Sequence, residues 1–165
     1  MPLSLSILLL AGAFLSATAG AAEAGSRQSI YVMRHLPPND GPDPGLSPLG
    51  AEQAKELANL LAGRPIKGIF VTDTRRSRET AAPLAATLGI SPILYDPFQP
   101  ARLDEAAREA TGDLLVVGHS NTVADLVARF GGNAPEPLGH GDFGTIWRIS
   151  GGKTAILVLA QKPKG

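Results

Sequence analysis

The chain contains no cysteine, which excludes disulfides, a thiolate nucleophile and cysteine-bound zinc together. Histidine is scarce as well: three residues, with no His-x-x-x-His spacing, so a histidine-rich metal site is not expected. Charge of neither sign is in excess, since Lys+Arg and Asp+Glu number 15 each. A general nucleic-acid or membrane-surface binder needs a basic surplus, so any anion site here has to be local. The apolar run at residues 5–15 falls short of the ~20 residues that span a bilayer comfortably.

That short run has another reading. It is followed by Ala19-Gly20-Ala21 and Ala22-Glu23-Ala24, both of which fit the small-x-small pattern of a secretory cleavage site. No Lys or Arg precedes it, and an uncleaved membrane anchor is the alternative. We therefore expect a signal peptide over residues 1–24, and an exported, periplasmic or secreted protein with no stable membrane insertion after cleavage. Residues 25–165 suit one domain of ordinary size. A hydrophobic content of 44% supports a real core, and 19 glycines with 14 prolines imply many turns.

Beyond the leader, strand-like and helix-like stretches alternate. Strands are expected at residues 30–33, 68–71, 92–95 and 114–117, the last of them entirely apolar. Helices are expected at 48–61, with Ser47 as N-cap and Pro48 in the first turn, at 75–88, closed by Gly89, at 101–110 and at 122–130. Residues 145–149 and 154–159 flank Ser150-Gly151-Gly152-Lys153, a hairpin signal. This order predicts an α/β fold, a three-layer α/β/α sandwich with a mostly parallel central sheet.

Ligands of such sheets bind beyond the carboxyl ends of the strands. The first strand ends in Arg34-His35, the second in Thr72-Asp73 followed by Arg75 and Arg76, the third in Tyr95-Asp96, and the fourth in Gly118-His119-Ser120-Asn121 just before a helix. Arginine suits bidentate contact with phosphate. A histidine among cations keeps a depressed pKa, so its neutral imidazole can attack phosphorus. The pattern points to phosphoryl transfer.

"RH" after the first strand, "TDTRRSRETA" after the second, "VVGHSNTV" around the fourth and "LSPLGAEQA" at residues 46–54 together resemble the histidine phosphatase superfamily, the phosphoglycerate-mutase-like proteins. The resemblance implies that His35 is the nucleophile that becomes phosphohistidine. It implies Arg34 and Arg76 as phosphate-binding residues and His119 as the second histidine, which binds and polarises the phosphoryl oxygens. No metal and no cofactor is implied. Asp96 stands where a carboxylic acid protonates the leaving oxygen; it reads equally as a turn residue before Pro97, with Asp40, Asp43 and Asp142 as other candidates. Two departures stand out: Leu36 replaces the usual glycine after the Arg-His pair, and Ser120 rather than Asp follows His119. The expected partner is a small phosphorylated substrate or a phosphoprotein. A non-catalytic phosphate-ligand binding protein and a phosphomutase are the alternatives. Residues 37–45 and 96–102 are expected at the rim of the site, Trp147 in the core, Arg75 and Arg78 in solvent, His140 at the surface or rim, and Asn121 as a helix cap.

Overall fold

The computed structural model describes residues 28–160, so the expected signal peptide lies outside the described residues. Ten elements follow in order: β1 (Ile30–Arg34), α1 (Pro48–Leu61), β2 (Ile66–Val71), α2 (Arg75–Leu88), β3 (Ile93–Leu94), α3 (Ala101–Glu109), β4 (Asp113–Gly118), α4 (Val123–Arg129), β5 (Thr145–Ser150) and β6 (Lys153–Val158). They build one six-stranded sheet in the order β3-β2-β4-β1-β5-β6. Pairing is parallel from β3 through β1 and antiparallel for β5 and β6. The mostly parallel α/β sandwich read from the sequence is what forms.

Side chains alternate across each strand, and the alternation sorts the core into two layers. Tyr31, Met33, Ile69, Val71, Leu115 and Val117 pack with Leu57, Leu61 and Leu84 of α1 and α2. Their neighbours Ile30, Val32, Phe70, Leu114 and Val116 pack with Leu103 of α3 and Leu126 of α4. Trp147 belongs to the second layer, as expected. Because β1, β2 and β4 carry apolar residues on both faces, they occupy the middle of the sheet.

Two helix ends behave as the sequence dictates. Ser47 Oγ accepts from Gly50 N–H, with Pro48 in the first turn of α1. Gly89 ends α2 in the left-handed region, φ +65°. Elsewhere boundaries differ. β2 starts two residues earlier than expected, at Ile66, and β3 keeps only Ile93 and Leu94, both exposed. Pro92 has no N–H to offer the ladder, and after Tyr95 N–H bonds the Val71 carbonyl at 3.0 Å the chain turns away at Pro97. Helix α4 starts at Val123, behind Thr122, so Asn121 is not its cap.

The left-handed glycine yields a clean test. Gly89→Ala should lower unfolding free energy by about 1 kcal/mol through backbone strain alone. Urea unfolding would show this as a lower midpoint with an unchanged slope, and phosphate binding should not move.

Candidate active site

The parallel register of β1 against β4 pairs Arg34 with Gly118. One further ladder bond, His35 N–H to the Gly118 carbonyl at 2.9 Å, carries the pairing past the strand end. His35 and His119 therefore leave adjacent strands side by side, rings edge to face with centroids 5.2 Å apart. Strand β2 lies on the far side of β4 and delivers Thr72 and the start of α2, with Arg76, to the same place.

His35 is buried and its two ring nitrogens have distinct partners. Nδ1 lies 2.9 Å from the Leu36 carbonyl, which can only accept, so Nδ1 carries the proton. Nε2 accepts from Arg76 Nε–H at 3.1 Å, so its lone pair is directed at Arg76. Leu36 does not narrow this approach. Its side chain is buried in the α1–α2 layer, no non-glycine residue among those described has a positive φ, and its N–H donates to Thr80 Oγ1 at 2.9 Å. Thr80 in turn donates to the Arg76 carbonyl at 2.8 Å, tying the loop after His35 to the helix that carries Arg76.

Arg34 is buried, and its Nη1 donates to the carbonyls of Gly139, at 2.8 Å, His140 and Asp142. Its guanidinium carbon stacks 3.9 Å from the Phe143 ring centre, and its buried Nε has no hydrogen-bond partner among the described residues. The loop before β5 thus fixes the guanidinium. His119 Nε2 lies 2.8 Å from Thr72 Oγ1, whose hydroxyl donates to Ser77 Oγ at 2.9 Å, so the imidazole donates to Thr72. A cavity of about 520 Å³ opens above these groups. Arg34, His35, Arg76 and His119 all line it, together with Asp73, Phe98 and His140. A larger cleft, about 950 Å³, lies beside Gln28 and Ile30 and contains none of the four.

Residues 34–105 match the model of the histidine phosphatase superfamily (branch 1), a span that holds three of the four converging residues. Over that span the chain is similar to the histidine phosphatase superfamily. Among solved structures, it is similar to the protein histidine phosphatase SixA complexed with tungstate, at 20% identity and TM-score 0.62 over 79% of this chain and 94% of that one. It is also similar to a mycobacterial glucosyl-3-phosphoglycerate phosphatase, at 16% identity and TM-score 0.60 over 80% and 98% of the two chains. Identities this low speak for the fold. A stretch of 52 residues is 50% identical to a PE-PGRS family protein of Mycobacterium tuberculosis, covering 31% of this chain and 9% of that protein. The chain thus spans under a tenth of the curated relative it matches.

Within this histidine phosphatase fold the carboxylates are placed less simply than the cations. Asp96 is exposed and committed to its own turn: Oδ1 accepts from Phe98 N–H at 2.9 Å and Oδ2 from Gln99 Nε2 at 3.2 Å. It does not line the cavity, whereas Asp73 does, in an ion pair with Arg78. Asp43 accepts from Arg75 N–H at the start of α2, Asp142 accepts from Gly139 N–H, and Asp40 is exposed. Of the two expected rim segments only 96–102 reaches the cavity, through Pro97 and Phe98. Residues 37–45 do not line it: Asn39 N–H bonds the Gly45 carbonyl, Ser47 Oγ bonds the Pro37 carbonyl, and the Asp43 carboxylate reaches the start of α2, 3.9 Å from Arg76 Nη1. Arg75 pairs with Glu79 in solvent. His140 and Asn121 stand at the rim. No three His, Cys, Asp or Glu side chains among the described residues form a metal-ligand set.

Burial, then the neighbouring histidine and arginines, hold His35 at a pKa of about 4 against its ordinary 6.5, despite the Leu36 carbonyl pulling upward. Burial, Arg76 and Arg34 bring His119 to about 4 as well. Both imidazoles are neutral near pH 7. Between pH 6.5 and 4 the unfolded chain binds protons that the folded chain refuses, so stability should fall as pH drops through that window. Thermal melting from pH 7.5 to 4 would show the decline. His35→Asn combined with His119→Gln should flatten it, and an equally steep profile in that variant would contradict the assignment.

Proposed function

We propose that this protein is an exported, metal-independent phosphatase that hydrolyses phosphate monoesters through a phosphohistidine at His35. The observation that carries this reading is the buried, neutral imidazole, protonated on Nδ1 and accepting from Arg76 at Nε2, in the wall of a cavity lined by two arginines and a second histidine. Substrate draws the Arg76 N–H from His35 to a phosphoryl oxygen, and Arg34, fixed by the loop carbonyls and Phe143, binds another. Nε2 then attacks phosphorus as the ester P–O bond breaks, and the arginines stabilise the charge spread over the equatorial oxygens. Water attacks next, the P–N bond breaks, and His35 is regenerated neutral.

The departing oxygen takes up a proton and the attacking water loses one. Asp96 was the expected carrier, but its two oxygens are held within its turn. We assign the role to Asp73, on the cavity wall, which accepts the proton from water and returns it to the next leaving group. Asp73→Asn should then slow an alkyl phosphate much more than p-nitrophenyl phosphate, whose leaving group barely needs a proton. A loss of that kind in Asp96→Asn, with Asp73→Asn unaffected, would return the role to Asp96.

Orthophosphate or vanadate titration tests the pocket. Arg76→Ala should weaken binding by about 1.5–3 kcal/mol, the worth of a charged contact, and hydrolysis of p-nitrophenyl phosphate should persist in EDTA. Unchanged oxyanion affinity in Arg76→Ala would sink the phosphate reading. Export is supported by the short apolar run and the small-x-small triplets. N-terminal sequencing of the secreted form should find a start between Ala22 and Gly25, and an intact Met1 in a membrane fraction would refute export.

A further inference from the structure

Phe98 is 82% exposed, the most exposed large apolar side chain among the described residues, yet it lines the cavity that holds His35. Exposed single apolar residues are common on surfaces; this one differs in how firmly its backbone is held. Pro97 and Pro100 fix φ on either side. Asp96 grips the turn three times, accepting from Phe98 N–H at its carboxylate, from the Gln99 side chain at its other oxygen, and from Gln99 N–H at its carbonyl, 3.0 Å. Helix α3 begins at once at Ala101, with Leu103 and Asp104 N–H both bonded to the Pro100 carbonyl. A rigid turn therefore presents a large ring that gains almost nothing by packing on its own protein. Its apolar area is useful only when a ligand covers it.

The cavity floor and the rim differ in chemistry. The floor carries two guanidinium charges, Arg34 and Arg76, beside the neutral imidazoles of His35 and His119, and takes the phosphoryl group. At the mouth Phe98 shares the rim with Asn121 and His140, whose polar groups suit ring substituents. About 520 Å³ is the size of a small-molecule site and much more than one phosphate fills. We propose that Phe98 is a specificity residue that stacks on an aromatic ring in the leaving group, so that the preferred substrates are small phosphate monoesters bearing such a ring. Asp96 is then a positioning residue that holds the Phe98 turn, which also accounts for a carboxylate at this place that does not line the cavity. The inference rests on the phosphate-site reading above and adds the leaving group to it.

Binding of phosphonates tests it without turnover. Methylphosphonate, cyclohexylmethylphosphonate and benzylphosphonate share the anionic head and differ in what reaches the rim. By calorimetry the protein should bind benzylphosphonate about tenfold tighter than methylphosphonate, with the saturated ring between the two. In Phe98→Ala the benzyl advantage should shrink to about one, with methylphosphonate affinity unmoved, and Phe98→Tyr should restore it. Asp96→Ala should reduce the same ratio, leaving methylphosphonate binding as it was. Normal methylphosphonate binding with a benzyl ratio that Phe98→Ala leaves intact overturns this inference alone. Failure of every phosphonate and of orthophosphate to bind overturns the phosphate reading and this inference with it.

Discussion

The site depends on one parallel pairing. Strand β1 lies against β4 so that Arg34 stands opposite Gly118, and the bond from His35 N–H to the Gly118 carbonyl extends that register past the edge of the sheet. A one-residue slip would turn every β1 side chain to the opposite face, exchanging Tyr31 and Met33 for Ile30 and Val32 in the two core layers. The register that buries the core is therefore the register that sets the two imidazoles against each other. Gly118 has no side chain at the crossing, where a Cβ would come within 2.9 Å of Leu126 and Thr122. That closeness lets Leu126 of α4 and Thr122 at its N-cap pack directly against the end of β4.

The second constraint is electrostatic. A chain of zero net charge gathers two arginines and two histidines around one cavity, and burial makes each additional positive charge there costly. The arginines stay charged because guanidinium is so basic, although burial lowers the pKa of Arg34. The histidines yield. The result is a cavity with two guanidinium groups and two imidazoles that are uncharged near neutral pH, the Leu36 carbonyl fixing which nitrogen of His35 carries the proton. At residue 36 only the backbone meets the site, through His35 Nδ1 and Thr80, while the leucine side chain joins the core.

The cations were legible in the sequence because each sits directly after a strand or in the first turn of a helix, where topology alone fixes direction. The "RSRETA" run hid a further function: Thr80 holds the Leu36 loop, and Ser77 supports Thr72 beneath His119. Thr72 itself was marked only as a strand end. The anchoring of Arg34 by Gly139, His140, Asp142 and Phe143 could not be read locally, because it joins residues more than a hundred positions apart through a loop with no periodic pattern. Asp96 shows the limit most plainly. The family resemblance offered a proton donor there and the following proline a turn residue, with equal weight, and the hydrogen bonds show the turn: a carboxylate followed by proline and then free N–H groups caps its own turn. Helix α4 likewise begins one residue later than its pattern suggested, leaving Asn121 on the rim.

The central claim is that the Nε2 lone pair of His35 is the nucleophile. Phosphorus–nitrogen coupling in the protein, selectively ¹⁵N-labelled at histidine, mixed with substrate and quenched in alkali, tests it most directly. The account predicts transient phosphorus on Nε2 of His35, lost in His35→Ala together with turnover. Phosphorus on Nδ1 or on another residue, or continued hydrolysis by His35→Ala, would contradict it.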